Sequence, residues 1–255
     1  MSGYQSLAAF YDRFTGDVDY AAAAVYLLSL FKRHGQSPQT VLDLACGSGS
    51  LALELIQRGI DVIGVDASEE MLLAAREKLA AASQEALFLQ QDMRELDLYG
   101  TVNGCVCMLD SLNHLLKTAD LAETFRRVSL FVEPKGLFIF DVNTPYKHCH
   151  VLADHTFAAE EEGAVGLWQH RLIKRTCEIE TVLDFFEEQP DGSYWRETDV
   201  VRERAYSLPT WYALLRQAEF TPLAVYEAGT FSEPGQTCER WVIVARNDTT
   251  RYEEL

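Results

Sequence analysis

The segment that most constrains the fold runs Val41-Leu-Asp-Leu-Ala-Cys-Gly-Ser-Gly-Ser50. Its apolar start predicts a short buried strand over Thr40–Ala45, and its glycines predict a tight turn into a helix over Leu51–Arg58. Gly47 and Gly49 allow the backbone to approach a ligand closely, and the helix N-terminus points free N–H groups at it. A strand, glycine turn and helix in this order indicate a ligand-binding α/β fold, although the turn alone also fits dinucleotide binding.

The alternation of strands and helices continues to Asp141. The predicted strands are apolar on both faces, which is typical of a parallel sheet covered by helices on both sides. The predicted fold class is α/β: a doubly wound, seven-stranded mixed sheet of Rossmann-like type, whose last two strands form an antiparallel hairpin at the edge. Helices are predicted at Ala21–Arg33, Leu51–Arg58, Ser68 to about Ala82, Leu121–Phe131 and Pro209–Gln217, and strands at Thr40–Ala45, Ile60–Val65, Ala86–Gln90, Val102–Leu109, Gly136–Asp141, Pro222–Ala228 and Trp241–Arg246.

The sequence pattern changes after Asp141. Charged, β-branched and aromatic runs at Cys177–Glu188 and Ser193–Tyr206 flank Gln189-Pro-Asp-Gly192, which is a strong hairpin signal. We therefore predict an antiparallel β subdomain at 147–207, inserted as a lid into a main domain made of residues 1–146 and 208–255.

The charge balance argues against nucleic acid as a partner. The net charge is −17, from 22 basic and 39 acidic residues, so the chain repels phosphate backbones and favours a small, cationic ligand. No apolar run reaches the roughly 18–20 residues of a membrane span, and the N-terminus lacks the pattern of a secretory signal. The six cysteines show no CxxC pair and are expected to be reduced thiols in a cytoplasmic protein. The oligomeric state is left open.

Two acidic residues near the glycine turn restrict which ligands the turn can bind. Asp66 ends the second predicted strand, where an acid accepts hydrogen bonds from ribose hydroxyls. The turn does not continue as G-x-G-x-x-G, because Ser, Leu and Ala follow Gly49, and Asp43 would repel a pyrophosphate. A nucleoside with an amino group and a positive charge instead of phosphate suits these acids, and S-adenosylmethionine is such a molecule.

Four motifs occur in a characteristic order: Val41–Ser50, Val65–Leu72, Gln91–Met93 and Val132–Asp141. Over residues 40–141 the chain thereby resembles class I S-adenosylmethionine-dependent methyltransferases, especially small-molecule enzymes of the glycine and amino-sugar N-methyltransferase kind. The resemblance implies that S-adenosyl-L-methionine is the cofactor and S-adenosyl-L-homocysteine the product. It also implies that the inserted sheet walls off an acceptor pocket.

The resemblance further implies which residues contact the cofactor. Those expected at its methionine part are Asp43, Ala45, Cys46, Gly47 and Gly49; those expected at its ribose and adenine are Asp66, Ala67, Met71, Asp92 and Met93; and Leu109 is expected beside the reactive methyl group. Ala45 stands where the family usually has Gly. Simple core packing is the alternative explanation for Met71 and Met93.

The N-terminal aromatic residues add two candidates. Phe10-Tyr-Asp-Arg-Phe14 and Asp19-Tyr20 resemble the start of small-molecule methyltransferases whose N-terminal segment closes over the cofactor. Tyr11 and Tyr20 are therefore expected to contact the cofactor from an N-terminal lid helix. An aromatic staple that holds the first helix on the core is the alternative.

The acceptor side is expected at Met108–His114, after the fourth strand. His114 and Asp110 are the candidate catalytic residues, since histidine suits proton removal near neutral pH, and Asn113 is the candidate substrate-binding residue. Capping and packing explain the same residues, and methyl transfer from a sulfonium needs alignment more than it needs a base.

The function predicted from the sequence is transfer of a methyl group to N, O or C of a small-molecule acceptor. The alternatives are an NAD-type oxidoreductase on a similar sheet, a catalytically silent S-adenosylmethionine-binding protein, and a macromolecular acceptor such as tRNA or protein. No metal is expected, because His148-Cys-His150 offers two imidazoles where structural zinc needs about four ligands. Asn143-Thr-Pro-Tyr146 resembles an amino-group methylase signature but follows the fifth strand rather than the fourth.

Overall fold

Two sheets and their covering helices make up the structure, a computed structural model that describes residues 18–161 and 163–250. The helices in these ranges are α1 (Tyr20–Arg33), α2 (Ser50–Ile56), α3 (Glu69–Ala81), α4 (Thr118–Phe131) and α5 (Leu208–Gln217). The strands are β1 (Thr40–Leu44), β2 (Asp61–Asp66), β3 (Leu87–Gln90), β4 (Val102–Cys107), β5 (Val132–Asn143), β6 (Thr156–Glu161), β7 (Ala164–Ile173), β8 (Glu178–Glu188), β9 (Tyr194–Arg204), β10 (Phe220–Glu227) and β11 (Arg240–Asn247). Short 3₁₀ turns lie at Met93–Glu95 and Ser111–His114, and a π-helical turn lies at Lys147–Leu152.

The larger sheet has seven strands in the order β10-β11-β5-β4-β1-β2-β3. The five neighbouring strands β5, β4, β1, β2 and β3 run parallel to one another, whereas β11 pairs antiparallel with both β5 and β10. This confirms the predicted doubly wound mixed sheet and the antiparallel hairpin at its edge. Because β1, β2, β4 and β5 run in one direction, their carboxyl ends meet at the edge where open α/β sheets bind ligands.

Strand β5 shows why helices cover both faces of this sheet. Its residues Phe138 and Phe140 are fully buried in one cluster with Trp211 of α5, whereas Leu137 and Ile139 are fully buried in a second cluster that includes α1. Successive side chains of a strand point to opposite faces, so an uninterrupted apolar run requires a helical layer on each side. Each such buried side chain stabilises the fold by about 1.5–3 kcal/mol.

The second sheet is antiparallel, with the order β6-β7-β8-β9. The hairpin between β8 and β9 turns at Gln189-Pro-Asp-Gly192, as predicted, where the Gly192 N–H donates to the Gln189 carbonyl at 2.9 Å. Strands β6 and β7 and the π-helical turn were not individually predicted, because their residues show neither clear alternation nor helical spacing. The subdomain boundaries at 147 and 207 stay a prediction.

Element boundaries differ from the prediction mainly at β5, which begins at Val132 rather than Gly136. Residues 133–135, which precede the predicted strand, are part of β5, beside a register shift against β4. A Cβ atom at Gly136 would lie only 2.5 Å from the Asn103 carbonyl oxygen, so glycine permits this close approach. None of the helices in the described ranges is both long and apolar enough to cross a membrane.

Candidate functional site

Two adjoining cavities lie at the carboxyl edge of the large sheet. One has a volume of about 340 Å³ and is bounded by the ends of β1 and β4 and by α1; the other, of about 240 Å³, is bounded by the ends of β2 and β3. Ala45, Gly47, Leu109 and Ser111 line both cavities. Together the cavities fall in the range of small-molecule sites, about 300–1,000 Å³. We call them the β1 cavity and the β2 cavity.

The turn after β1 shapes the wall between the two cavities. Ala45, Gly47 and Gly49 all have left-handed backbone conformations, with φ of 60°, 53° and 73°. A Cβ atom on Gly47 would meet nothing within 4 Å, so the missing side chain leaves room on the cavity side. Gly49 lines neither cavity; a Cβ atom there would lie 2.9 Å from the Cβ atom of Ala75. Gly49 therefore serves the packing of α2 on α3.

Asp66 ties the turn to the start of α3. Its two carboxylate oxygens accept hydrogen bonds from the backbone N–H groups of Gly47 and Ser68, each at 2.9 Å. Burial raises the pKa of Asp66, and the backbone donors, those of Ser68 and Gly47 foremost, partly offset this effect. The carboxylate lines the β2 cavity, as expected for a residue that contacts a ribose.

Asp43 is a buried carboxylate whose oxygen atoms are not both hydrogen-bonded. It is 2% exposed, it lines the β1 cavity, and its Oδ2 atom has no hydrogen-bond partner. Burial, with a smaller contribution from the charge of Asp66, raises its pKa to about 7. A buried carboxylate of this kind is stabilised by a cation or an N–H donor. The β1 cavity therefore suits a ligand with a positively charged amino group.

The predicted adenine residues line the β2 cavity. Met71, 4% exposed, and Met93 contribute apolar surface, and Ala67 and Asp92 lie beside them. Asp92 also accepts hydrogen bonds from the Arg94 backbone N–H at 2.9 Å and from Arg94 Nε at 2.8 Å. The hydrogen bond to the Arg94 side chain, partly opposed by burial, lowers the pKa of Asp92. Asp92 thus stays ionised at the cavity wall.

Of the four remaining residues predicted to contact the cofactor, three line a cavity and one lies outside the described residues. Tyr20 and Cys46 line the β1 cavity, and Leu109 lies between the two cavities. Tyr11 lies outside the described residues. Leu109 and Asp110 both adopt positive φ, 56° and 52°, so the chain after β4 is strained where it passes the cavities.

Of the three candidate acceptor residues, the structure places only His114 at a cavity, where it lines the β2 cavity. Asp110 instead accepts a hydrogen bond from Arg240 Nη2 at 3.0 Å and another from the Asn143 amide. Asn113 is fully buried, with its amide donating to the Arg204 carbonyl at 2.8 Å and its oxygen accepting from the Asn143 N–H at 2.9 Å. Asp110 and Asn113 line neither cavity, and their predicted roles stay predictions.

Several lining residues were not singled out from the sequence. Asp141, two residues before the end of β5, lines the β1 cavity and accepts a hydrogen bond from Arg240 Nη1 at 2.8 Å. Its position at a strand end was a signal that could have identified it. Asp19 and Gly229 come from α1's N-cap and the β10–β11 connection, and only the tertiary fold brings them to the site.

The charges around the two cavities are of one sign. The acidic residues that line them are Asp19, Asp43, Asp66, Glu69, Glu70, Asp92 and Asp141, and no Lys or Arg lines either cavity among residues 18–161 and 163–250. The nearby Arg240 is paired with Asp110 and Asp141. Within the same ranges no three His, Cys, Asp or Glu side chains are grouped to hold a metal ion. The site thus offers hydrogen-bond acceptors and negative charge.

Comparisons with known proteins give a consistent relationship. Residues 41–136 match a family model described as a methyltransferase domain. A protein of Geobacillus sp. (strain WCH70), whose methyltransferase name is provisional, is 32% identical over 95% of this chain and 99% of its own. A dTDP-3-amino-3,6-dideoxy-α-D-glucopyranose N,N-dimethyltransferase of Streptomyces fradiae is 30% identical over 48% of this chain and 47% of its own. A crystal structure of an S-adenosylmethionine-dependent methyltransferase from Clostridium acetobutylicum ATCC 824 superposes with a TM-score of 0.86 at 25% identity, covering 96% of this chain and 99% of that one.

Proposed function

This chain belongs to the class I S-adenosylmethionine-dependent methyltransferases, and we propose that it methylates a nitrogen, oxygen or carbon atom of a small-molecule acceptor. Its cofactor is S-adenosyl-L-methionine, which supplies an electrophilic methyl group on a sulfonium. The observation that carries the proposal is the buried residue Asp43, which lines a cavity without Lys or Arg in its described lining and whose Oδ2 atom has no hydrogen-bond partner.

The described residues fit this cofactor. In our proposal Asp43 holds the amino group, and the open space beside Gly47 admits the methionine part. Asp66 accepts hydrogen bonds from the ribose, and Asp92, Met71 and Met93 surround the adenine. Ala45, Cys46, Ala67, Leu109 and Tyr20 form the rest of the wall. Neither a pyrophosphate nor another anion finds a compensating side-chain charge in this lining.

On the acceptor side, His114 is the residue of this chain best placed to take the proton that a nitrogen or oxygen acceptor loses. It lines the β2 cavity beside Leu109 and Ser111, where both cavities meet. Asp110 and Asn113 act on this region through the backbone and through Asn143 rather than by touching the acceptor. Methyl transfer from a sulfonium needs few polar groups, because alignment of the reactants and exclusion of water lower its barrier.

The amino-sugar relative supports a small acceptor over a macromolecular one, and so does the acidic balance of the chain. Transfer of labelled methyl from S-adenosylmethionine to a low-molecular-weight metabolite extract, with tRNA and protein fractions run in parallel, tests this. We expect label in the extract and none in the macromolecular fractions. Label in tRNA or protein alone, or no label anywhere from protein that binds the cofactor, contradicts the proposal.

A further inference from the structure

Two of the six thiols of the chain are in contact with each other beside the second sheet. The Sγ atoms of Cys149 and Cys177 lie 3.6 Å apart, which is van der Waals contact, although the two residues are 28 positions apart along the chain. A disulfide holds its sulfur atoms at about 2.05 Å, so the two atoms must approach each other by about 1.5 Å. Small rotations of both side chains about their Cα–Cβ bonds can supply a shift of this size. The pair is therefore positioned to form a disulfide in the folded protein.

Uncommon backbone conformations place both sulfur atoms. Cys149 lies in the π-helical turn Lys147–Leu152, and such turns are rare and occur frequently at functional sites. Cys177, the last residue before β8, has a φ of 54°, in the left-handed region that disfavours residues other than glycine. The Cys177 carbonyl oxygen accepts a hydrogen bond from the Ala205 N–H at 3.1 Å and lies 3.1 Å from His148 Nδ1. The fold thus holds both backbone segments in place around the two sulfur atoms.

Exposure separates these two cysteines from the other four. Cys149 and Cys177 are half-buried, whereas the remaining cysteines are buried: Cys46, Cys105, Cys107 and Cys238. A small oxidant therefore reacts with the pair in preference to the other thiols. Burial, with a smaller contribution from the neighbouring Cys149 thiol, raises the pKa of Cys177, and the charge of Arg204 partly offsets this effect. Because Cys177 keeps its proton at neutral pH, we assign the first reaction with an oxidant to Cys149.

The contact joins segments that lead to different sheets. The π-helical turn begins four residues after β5 of the large sheet ends at Asn143, whereas Cys177 directly precedes β8 of the second sheet. A covalent bond between Cys149 and Cys177 would close a loop that contains β6 and β7. Closing such a loop restricts the unfolded chain and thereby stabilises the folded state. A disulfide here would hold the second sheet to the segment through which the large sheet leads into it.

We propose that Cys149 and Cys177 form a reversible disulfide when the protein meets hydrogen peroxide, and that this bond ties the π-helical turn to the second sheet. The Cys149 thiolate attacks one peroxide oxygen and the O–O bond breaks, which gives a sulfenic acid and a hydroxide that takes up a proton to become water. The Cys177 sulfur then attacks the sulfenic sulfur, the S–O bond breaks, and hydroxide leaves with the Cys177 proton as a second water. The two thiols lose two electrons, which reduce one peroxide. This inference does not depend on the proposed methyl transfer.

Thiol counting and peptide mapping test the proposal. Reduced full-length protein is treated with a small molar excess of hydrogen peroxide, and its remaining thiols are counted after denaturation. We expect the protein to lose two of its six thiols and to regain both with dithiothreitol. Trypsin cleaves after Arg171, Lys174 and Arg175, so it separates the two cysteines, and mass spectrometry should find their peptides joined. An unchanged thiol count, or joined peptides that contain a different pair of cysteines, overturns the proposal.

Matched cysteine variants assign the bond to this pair. Cys149→Ser removes one sulfur of the pair, whereas Cys238→Ser removes a buried sulfur elsewhere. After peroxide treatment we expect Cys149→Ser to keep its thiols and Cys238→Ser to form the joined peptides as wild type does. If Cys149→Ser loses as many thiols as wild type, or if Cys238→Ser forms no joined peptides, the proposal is wrong. In Cys177→Ser, dimedone should label a sulfenic acid at Cys149, and labelling of other cysteines alone contradicts the assigned order of attack.

Thermal denaturation measures whether the bond ties the two segments together. Peroxide treatment should raise the unfolding midpoint of wild type by about 5 °C or more, because the closed loop restricts the unfolded chain. Dithiothreitol should return the midpoint to its value before treatment. Cys149→Ser should show no such rise, and it also controls for oxidation of methionine side chains. A wild-type protein that forms the disulfide without a rise in its midpoint overturns the proposed tie.

Discussion

Three of the eight non-glycine residues with positive φ in the described ranges lie at the cofactor site. Ala45, Leu109 and Asp110 have φ between 52° and 60°; Ala45 directly follows β1, and the other two lie two and three residues after the end of β4. A non-glycine residue in this region costs about 1–2 kcal/mol. The cost is maintained because the turn after β1 and the chain after β4 must both bend away from the sheet to leave the two cavities open.

Ala45→Gly should therefore stabilise the protein. Glycine adopts φ of 60° without the steric penalty of a Cβ atom, and after allowing for its greater freedom in the unfolded chain we expect a gain of about 0.5–1 kcal/mol in the free energy of unfolding. Urea denaturation measures the gain. The same change at Ala80, exposed in α3, should instead cost about 0.5–1 kcal/mol, and a loss of stability at both positions would contradict the argument.

The raised pKa of Asp43 makes cofactor affinity depend on pH. With a pKa of about 7, most Asp43 is protonated at pH 6 and most is ionised at pH 8. If its carboxylate holds the amino group of the cofactor, the affinity for S-adenosylhomocysteine should rise about tenfold over this interval. Calorimetric titration at several pH values measures this. Asp43→Asn should bind more weakly and lose most of the pH dependence; an equally steep profile in the variant contradicts the assignment.

The Asp43 carboxyl group should also make the ligand-free protein less stable as pH rises. Because the pKa of Asp43 is about 7 when folded and 3.8 as a free side chain, the folded state holds the proton more tightly between these values, and stability is lost as pH rises through that interval. Relative to Asp43→Asn, wild type should lose about 3 kcal/mol between pH 5 and pH 8. Urea unfolding without cofactor measures this difference, and a constant difference would show that Asp43 is already compensated.

At the scale of elements, the turn between β1 and α2 combines two glycines with different tasks. Gly47 faces open space at the cavities, whereas Gly49 lies against Ala75 of α3. Both have positive φ, so alanine at either position carries a similar backbone penalty. The surroundings of the added methyl group should therefore decide which property is lost.

Gly47→Ala and Gly49→Ala should separate binding from stability. We expect Gly47→Ala to cost about 1 kcal/mol of stability and at least tenfold in cofactor affinity, because its methyl group enters the ligand space. Gly49→Ala should cost about 2–4 kcal/mol, because its methyl group overlaps Ala75 and forces α2 away from α3. Thermal denaturation and calorimetry on both variants measure this. Identical profiles for the two variants would contradict the division of tasks.

Elements with strong local signals were predictable, and elements that depend on distant partners were not. The Ser68 side chain caps α3 by accepting from the Met71 N–H, and the Gln189–Gly192 turn closes its hairpin, as their local residues indicated. The polar side chains of Asp110 and Asn113 suggested an acceptor site. In the fold both side chains form hydrogen bonds with distant residues. Asp110 accepts from Asn143 and from Arg240, which lies 130 residues away along the chain, and Asn113 donates to the Arg204 carbonyl. Residue type and spacing cannot reveal such partners.

At the scale of the molecule, the structure shows where the acidic residues of the sequence lie. A net charge of −17 argued against nucleic acid as a partner and for a small, cationic ligand, but it did not place the acidic residues in the fold. Among residues 18–161 and 163–250, acids but no Lys or Arg line the two cavities, and on the second sheet ion pairs lie on one face. Parallel strand ends bring Asp43, Asp66 and Asp141 to the same edge, as the predicted parallel sheet requires of residues near strand ends.

Calorimetric titration of S-adenosylhomocysteine into wild type, Asp66→Ala and Asp61→Ala tests the central claim most directly. The two aspartates lie at opposite ends of β2, and only Asp66 lines a cavity. Loss of hydrogen bonds to the Asp66 carboxylate should weaken binding about tenfold or more, whereas Asp61→Ala should bind as wild type does. Undiminished affinity in a folded Asp66→Ala protein would contradict the acid-flanked glycine turn as the site of the cofactor.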